Sequence, residues 1–407
     1  MRALLTLQPA MGHLHSMLPA AHALKDQGHE VLFATARSFC PHIEARGFQA
    51  VPAGLDWLES EAERYFPHLR NLPPDERHFA FLTDVFADTA ALEMSRALLD
   101  VVASWRPDVI VRSVFEFAGC VVAERLGLPH ATMGGGLFQH RRALEPLIQD
   151  QLAYLRSVHQ LAPYPALDML YPHLYIAQVP ACYEFPDVPL PPSYRSIRPT
   201  FDSAPGERLP AWIERLPGRP TVHATLGTVF NRAPEIYRAI LEGLRDEPIN
   251  LILAIGKDQD PAQYGPQPEH VYIERFLPHT LLLPHCDVII GHGGANTTLQ
   301  TLSHGIPLVV IPLSAEQPFH AARCADLGVG LILRQPGAAP LHLDAACPTL
   351  SPDTVRAAVR ELLHNPSFRE RARWVQGQIE ALPGPAQAAV WVEELVERAP
   401  RPRSSST

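Results

Sequence analysis

The sequence predicts an α/β protein with two doubly wound parallel sheets. Apolar segments of strand length alternate with amphipathic helical patterns in the first part of the chain, and the same alternation restarts near residue 221. Ten prolines fall between residues 180 and 220, where clean periodicity is lost. Because 407 residues exceed the size at which one hydrophobic core stops growing, we expect two domains joined through this proline-rich stretch.

The first predicted domain, residues 1–200, opens with a strand at 3–7 and a loop that contains His13. A helix follows, for which Ser16 is the expected N-cap and Gly28 the expected C-cap, with Pro19 in the tolerated first turn. Further strands are predicted at residues 29–34, 108–111 and 130–133, and a helix at 116–126. This order predicts a parallel sheet covered by helices on both faces.

Residues 201–220 are predicted to be the interdomain linker and residues 221–382 the second domain. A last amphipathic helix at 383–398 is expected to pack back on the first domain, and residues 399–407 are expected to be disordered. The strands of the second domain are predicted at 221–226, 250–255, 271–274, 287–290 and 308–311. Its helices are predicted at 234–244, directly after His292, and at 316–327, 352–363 and 368–382.

Composition excludes several functional classes. The net charge of −9 argues against a nucleic-acid partner, which requires a basic face. Six scattered cysteines without a C-x-x-C pair indicate reduced core residues in a cytoplasmic protein. Gln8, Pro9 and Gly12 interrupt the apolar N-terminus, so no signal peptide is expected. The longest later apolar run, 306–313, is far too short to cross a membrane.

The most informative motif is the run from Gly291 to Thr297, which joins a buried strand to a helix through glycines and one histidine. The first N–H groups of a helix have no intrahelical partner and the helix dipole favours negative charge, so this turn is typical of an anion site. It is not a P-loop, because no lysine follows the glycines, and it is not G-x-G-x-x-G, because Asn296 stands where the third glycine belongs. An ordinary glycine-rich connecting turn is the alternative interpretation.

The chain resembles the GT-B nucleotide-sugar glycosyltransferases in three segments that follow one another in order, 276–279, 291–297 and 312–317, and in the Gly12-His13 pair after the first strand. The chain is most similar to the bacterial natural-product branch of the UDP-glycosyltransferase family, the family 1 glycosyltransferases. The resemblance implies two facing Rossmann-like domains. It also implies a UDP- or dTDP-sugar donor, a small and largely apolar hydroxylated acceptor, and no metal or other cofactor. A monomer or a homodimer is expected.

The resemblance also implies the donor site. Phe276 matches the residue that stacks on the nucleotide base, and the Leu277 backbone would read the edge of that base. The diphosphate contacts match His292, Gly293, Gly294, Ala295, Asn296 and Thr297, with Gly227 and Thr228 closing over the phosphates. Gln300 matches the ribose position, and Glu316 with Gln317 matches the pair that grips the sugar hydroxyls. Ser314 stands where plant relatives have Trp, which would suit a different sugar such as a deoxysugar.

His13 matches the position of the general base, and a neutral imidazole suits that task. The implied reaction is a single inverting displacement in which the turn at His292 stabilises the departing diphosphate. Many relatives orient the base with an Asp near the end of the strand predicted at 108–111, but this chain has Arg112-Ser113 there, so Glu116 is the predicted partner. The alternative is that Glu116 complements the dipole of the following helix.

Two other functions remain open from the sequence alone. The same scaffold supports nucleotide-sugar epimerases and hydrolases, and it would also suit a non-catalytic binder of nucleotide sugars. A set of apolar side chains would suit an acceptor chamber, although such residues also pack ordinary cores. The set is Trp57, Tyr65, Phe66, Phe79, Phe115, Met133 and Phe138.

Overall fold

The computed structural model of the protein describes residues 1–72, 76, 79–163, 167–201, 206–227, 232–334 and 347–399. The chain divides into two compact units. The first unit consists of Met1–Pro180, Pro186–Pro199 and the chain from Leu382 onward, and the second of Ala181–Phe185 and Thr200–Ala381. Thr228 and residues 400–407 of the predicted tail lie outside the described residues.

The first unit contains a sheet of seven parallel strands among the described residues, in the order β3-β2-β1-β4-β5-β6-β7. The strands are β1 Arg2–Thr6, β2 Glu30–Thr35, β3 Gln49–Pro52, β4 Val109–Ser113, β5 His130–Gly134, β6 Leu174–Ala177 and β7 Tyr194–Ser196. The helices are α1 Met11–Asp26, α2 Cys40–Glu44, α3 Ala62–Tyr65, a π-helix Phe81–Thr89, α4 Ala90–Trp105, α5 Ala118–Leu126 and α6 Phe138–Val158. Leu4 and Ile110 are fully buried in one core cluster with Leu98 of α4, as expected for a parallel sheet covered by helices.

The second unit contains six parallel strands among the described residues, in the order β10-β9-β8-β11-β12-β13. The strands are β8 Thr221–Thr225, β9 Asn250–Ala254, β10 Val271–Glu274, β11 Val288–Gly291, β12 Leu308–Val310 and β13 Gly330–Ile332. The helices are α7 Pro234–Leu244, α8 His279–Leu282, α9 Ala295–Ser303, α10 Gln317–Asp326, α11 Pro352–His364 and α12 Pro366–Glu380. Val288 and Ile290 join one apolar cluster and Ile289 joins another, because successive strand residues point to opposite faces.

The start of α1 corrects the prediction for this segment. The helix begins at Met11, with Ala10 in extended conformation as its N-cap, so His13 lies in the first helical turn and not in a loop. Ser16 does not cap the helix, because its hydroxyl donates to the carbonyl of His13 one turn earlier. Pro19 consequently lies inside the helix. Serine and proline look like start signals in sequence, but the hydroxyl is satisfied equally well inside a helix by a preceding carbonyl.

The ends of the predicted domains also differ in detail from the structure. In the described part of the stretch predicted as a linker, Ile213 is 2% exposed and packs with Leu277 and Leu282 of the second unit. The last helix, α13 Ala386–Arg398, belongs to the first unit and packs against α1. Its Glu393 carboxylate lies 2.5 Å from Nε2 of His29. Burial of apolar side chains therefore decides the unit to which each segment belongs.

Candidate active site

The carboxyl edge of the second-unit sheet gathers the predicted donor-binding residues. Neighbouring strands of this sheet run parallel, so the segments that follow them leave from the same edge. From β10 across to β12, these segments carry Phe276, Lys257, Gly227, His292 and Glu316 in that spatial order. Residues from five separate parts of the sequence thus meet along one edge.

The turn between β11 and α9 is built from backbone. Strand β11 ends at Gly291, α9 begins at Ala295, and Gly294 is the N-cap with φ −61° and ψ 139°. A carboxylate oxygen of Glu316 lies 3.4 Å from the amide nitrogen of Ala295 and accepts its hydrogen bond. The first amide of α9 therefore already faces a carboxylate oxygen, and the oxygens of a diphosphate are acceptors of the same kind.

Three glycines in this region are required by close approach. A Cβ atom at Gly227 would lie 2.7 Å from Cε1 of His292, and one at Gly294 would lie 2.5 Å from Nε2 of the same ring. Gly293 has a φ of 86°, which side chains rarely adopt, and its Cβ would lie 2.9 Å from Val310 and 3.0 Å from the carbonyl oxygen of Gln317. The imidazole therefore packs against bare backbone.

His292 is held in its neutral form. The residue is 9% exposed, and burial lowers the pKa of its imidazole to about 4. Its Nδ1 makes no hydrogen bond among the described residues. A neutral imidazole offers a hydrogen bond but no charge, so the electrostatic part of anion binding at this turn belongs to the backbone amides and the helix dipole.

Phe276 presents an aromatic ring to solvent at the same edge. Its side chain is 41% exposed, whereas the next residue, Leu277, is 4% exposed and packs in the core. The buried leucine fixes the backbone and leaves the phenyl group on the surface. Nζ of Lys257 lies 4.5 Å from the centroid of this ring, within cation–π distance. The ring is thus a platform for a flat or positively charged group.

The two residues predicted to contact the sugar hydroxyls have different surroundings in the loop after β12. Gln317 is 2% exposed, and its Oε1 accepts hydrogen bonds from the amides of Leu313 at 2.8 Å and Ser314 at 3.0 Å. Ala315 has a φ of 57°, an uncommon value for a non-glycine residue. The side chain of Gln317 therefore stabilises the loop that precedes it. The half-buried Glu316 instead contacts the start of α9 with its carboxylate.

The first turns of α9 carry the remaining predicted contacts. Asn296 is exposed and Thr297 is half-buried at the start of the helix. Gln300, one turn further, is 7% exposed and its Nε2 donates to Oγ1 of Thr280 at 2.5 Å. The amide of Gln300 is thus engaged within the protein, and its contact with a ribose remains a prediction.

His13 lies in the first turn of α1 and is half-buried. Its Nδ1 is 3.4 Å from Oγ of Ser113, the last residue of β4. The rings of Phe86 and Phe115 lie 5.7 and 5.8 Å from its ring centroid. If Nδ1–H donates to Ser113, the basic lone pair lies on Nε2, as a general base requires.

Glu116 has a different position from the one that the sequence suggests. Helix α5 begins at Ala118, after Glu116, whose carboxylate accepts the amides of Ala118 at 2.6 Å and Gly119 at 3.0 Å. The same carboxylate accepts Oγ1–H of Thr6 at 2.5 Å. Burial raises the pKa of this fully buried carboxyl group. These contacts fit the alternative interpretation, in which Glu116 serves the start of the helix.

Arg112 fixes the segment that carries Ser113. Its guanidinium is fully buried and donates to the carbonyl oxygens of Ser113 at 3.3 Å, Val114 at 3.2 Å and Glu116 at 2.7 Å. A fourth hydrogen bond reaches the carbonyl of Leu170 at 3.1 Å. A planar group with several donors can hold a loop in this way without any carboxylate partner.

Comparisons with known proteins bear on this geometry. Family models described as the N-terminal and C-terminal domains of erythromycin biosynthesis protein CIII-like proteins match residues 22–152 and 239–395. L-demethylnoviosyl transferase of Streptomyces niveus is 31% identical over 91% of this chain and 94% of the relative. The chain is a member of the GT-B natural-product glycosyltransferases. The predicted family, the predicted fold and the prediction of a hexosyltransferase are confirmed.

Two further comparisons describe the relatives of this glycosyltransferase. The 4'-demethylrebeccamycin synthase of Lentzea aerocolonigenes is 29% identical over 97% of this chain and 99% of the relative. The crystal structure of the glycosyltransferase VinC in complex with dTDP matches with a TM-score of 0.76 and 27% identity, over 98% of this chain and 100% of that chain. Both likenesses extend over nearly the whole of this chain and of the relatives.

The structure adds residues that the sequence did not reveal. Ser113 contacts the proposed base of the glycosyltransferase, and Phe86 packs against it. Ser113 was within reach of prediction, because it ends β4, the strand next to β1, and carries a hydroxyl. Of the suggested acceptor-chamber residues, Trp57, Met133 and Phe138 are at most 2% exposed and pack in the core.

Among the described residues of the glycosyltransferase, no group of three or more His, Cys, Asp or Glu side chains is arranged to hold a metal ion. Within the same residues, no helix is both long and apolar enough to span a membrane.

Proposed function

We propose that this glycosyltransferase moves a hexose from a UDP- or dTDP-sugar to a hydroxyl group of a small, largely apolar natural product, with inversion at the anomeric carbon. The observation that carries the proposal is the contact between Nδ1 of His13 and the Ser113 hydroxyl, since Nε2 is the basic nitrogen when Nδ1–H donates to that hydroxyl. The names of the relatives, which are sugar transferases and a synthase of natural products, support the acceptor class.

The donor would lie along the carboxyl edge of the second-unit sheet. Phe276 supplies an exposed face for the base, and the amides at the start of α9 supply donors for the diphosphate. The carboxylate of Glu316, which contacts the Ala295 amide, would move from that amide to accept hydrogen bonds from sugar hydroxyls once a diphosphate takes its place. His292 would add a neutral hydrogen-bonding group beside them.

The transfer step follows from these groups. Nε2 of His13 accepts the proton of the acceptor hydroxyl while the oxygen forms a bond to the anomeric carbon. The bond between that carbon and the diphosphate oxygen breaks, and its electron pair leaves with the nucleoside diphosphate. Backbone N–H groups preorganised around the leaving group stabilise the charge that develops on it.

The test is a transfer assay with UDP-glucose and several dTDP-sugars against a panel of hydroxylated apolar acceptors. Mass spectrometry of the products should show addition of one hexose to at least one acceptor, and proton NMR of the glycoside should show the anomeric configuration opposite to that of the donor. Retention of configuration would contradict the single displacement. Release of free sugar with every acceptor would instead favour a hydrolase.

A further inference from the structure

Two phenylalanine rings form a triangle with His13 inside the first unit. The ring centroid of His13 lies 5.7 Å from that of Phe86 and 5.8 Å from that of Phe115. The two phenyl rings lie 6.0 Å apart with an angle of 19° between their planes. The imidazole thus has two aromatic neighbours, which also lie against each other.

Phe86 packs against other aromatic side chains in a buried cluster. Its side chain is 6% exposed, and its ring centroid lies 4.9 Å from that of Phe81 and 6.0 Å from that of Trp57. Trp57 is 2% exposed and makes an edge contact with Phe66. Because Phe86 is packed closely against these buried rings, its own ring has little freedom to move.

The element that carries Phe86 has an unusual geometry. Residues Phe81–Thr89 form a π-helix of nine residues, which continues directly into α4. The amide of Ala90 donates to the carbonyl of Val85, which is the i→i+5 pattern of this helix type. Such helices are rare and occur frequently at functional sites. The wider turn changes the directions of the side chains, so the position of Phe86 depends on it.

The hydrogen bond between His13 and Ser113 is long for the task of fixing a general base. Its length of 3.4 Å is beyond the usual range for such bonds. A rotation of the imidazole by half a turn would exchange Nε2 with a carbon atom and remove the base from its position. Packing by neighbouring rings opposes this rotation, because the ring cannot turn without displacing them.

We propose that Phe86, placed by the π-helix, is a positioning residue that keeps Nε2 of His13 in the orientation needed to accept the acceptor proton. The proposal rests on the proposed function, in which His13 is the general base. It gives the π-helix a role in the reaction through one side chain.

A double-mutant cycle tests the proposal in the full-length protein. Single-turnover transfer at saturating donor is measured for wild type, Phe86→Leu, His13→Ala and the double variant. We expect Phe86→Leu to lower the rate of transfer about 10- to 100-fold when His13 is present, because small misplacement of a reacting group is costly. It should have no further effect in the His13→Ala background. The KM for the donor should stay within twofold of the wild-type value.

Phe138→Leu is the matched control. Phe138 is also a buried ring of the first unit, 1% exposed, and it packs edge-on against Tyr175 instead of His13. This control should lower thermal stability about as much as Phe86→Leu and leave the rate per folded molecule unchanged. If Phe86→Leu reduces the amount of folded protein, Phe115→Leu, at a half-buried ring, repeats the cycle.

Equal losses from Phe86→Leu in both backgrounds would overturn the positioning role, because the effect would not pass through His13. Undiminished transfer by His13→Ala would instead overturn the base assignment in the proposed function. Absence of transfer by the wild-type protein with every donor and acceptor would contradict the proposed function itself. The failures are therefore distinguishable.

Discussion

His13 in the first unit and His292 in the second both lie where a strand gives way to a helix, but their surroundings differ. His292 is 9% exposed, packs against glycine backbone and has its pKa lowered by burial to about 4. His13 is half-buried, lies beside a serine hydroxyl and is flanked by two phenyl rings. The same kind of junction thus places a histidine in two different environments: a buried ring with a lowered pKa at His292 and a reachable ring at His13.

The largest effect expected from this comparison is a loss of transfer that leaves nucleotide binding unchanged. His13→Ala should lower kcat about 100- to 10,000-fold, because general base catalysis contributes on that scale. Affinity for UDP and dTDP, measured by calorimetry, should stay unchanged. His15→Ala, two residues along α1 at an exposed position, is the matched control and should keep kcat within twofold. Unchanged transfer by His13→Ala would show that the two histidines do not divide the chemistry in this way.

The second effect concerns nucleotide binding at the turn of His292. Gly293→Ala introduces a side chain at a φ of 86° and within 3.0 Å of the Gln317 carbonyl. Strain of this kind costs about 1–3 kcal/mol. The free turn would relax away from the conformation that binds the anion, so affinity for the nucleoside diphosphate should fall by about 10- to 100-fold. Gly291→Ala is the control, because its Cβ would make only ordinary contacts at 3.8 Å or more. Equal affinities for the two variants in calorimetry would argue against a diphosphate at this turn.

The local structure at the second-unit turn follows from the sequence more directly than the surroundings of His13 do, for a physical reason. The turn at His292 is local, since a buried strand, glycines and a helix follow one another along the chain. His13 is instead surrounded by residues that are distant in the sequence, namely Ser113, which is 100 residues away, and Phe86 in the π-helix. A π-helix has no sequence signal comparable to the α-helical period. Long-range packing of this kind decides the orientation of a side chain and is invisible to spacing rules.

The start of α1 and the position of Glu116 illustrate the same limit. Ser16 and Pro19 look like a helix start, yet the helix already begins at Met11, because nothing in the preceding residues prevents it. Glu116 follows β4, and β4 lies next to β1, the strand that precedes His13. Its carboxylate nevertheless accepts hydrogen bonds from the first amides of α5 and from the hydroxyl of Thr6. Competition among nearby donors thus favours one of the two roles that the spacing left open, and the role at the start of the helix is the one that these contacts fit.

A third, smaller effect separates Ser113 from Glu116. Ser113→Ala removes the contact to Nδ1 of His13, and loss of one hydrogen bond corresponds to a fall in kcat of about 3- to 10-fold. Glu116→Gln should instead lower the free energy of unfolding by about 1–3 kcal/mol, because charge-assisted bonds to the α5 amides are lost, while kcat per folded molecule stays the same. Both are measured by steady-state kinetics and urea unfolding. A larger fall in kcat for Glu116→Gln, without lost stability, would make Glu116 the partner of His13.

The smallest effect tests whether burial keeps the histidines of the second unit neutral. His223 on β8 is 1% exposed, its ring lies 5.5 Å from that of His279, and burial lowers its pKa to about 4. In the unfolded chain the pKa is about 6.5. Above that pH neither state binds the proton, so His223 leaves stability unaffected. As pH falls from about 6.5 toward 4, the unfolded state binds more protons, and the free energy of unfolding decreases by up to about 1.4 kcal/mol per pH unit.

His223→Asn removes this proton uptake while keeping a donor for the Ile252 carbonyl, which Nδ1 of His223 contacts at 3.0 Å. Between pH 7 and pH 5 the wild-type protein should therefore lose about 2 kcal/mol more stability than the variant. Urea unfolding followed by circular dichroism at a series of pH values measures the difference. Parallel pH profiles would mean that His223 takes up its proton equally in the folded and unfolded states. Burial would then no longer explain the low pKa of His223 in the folded protein.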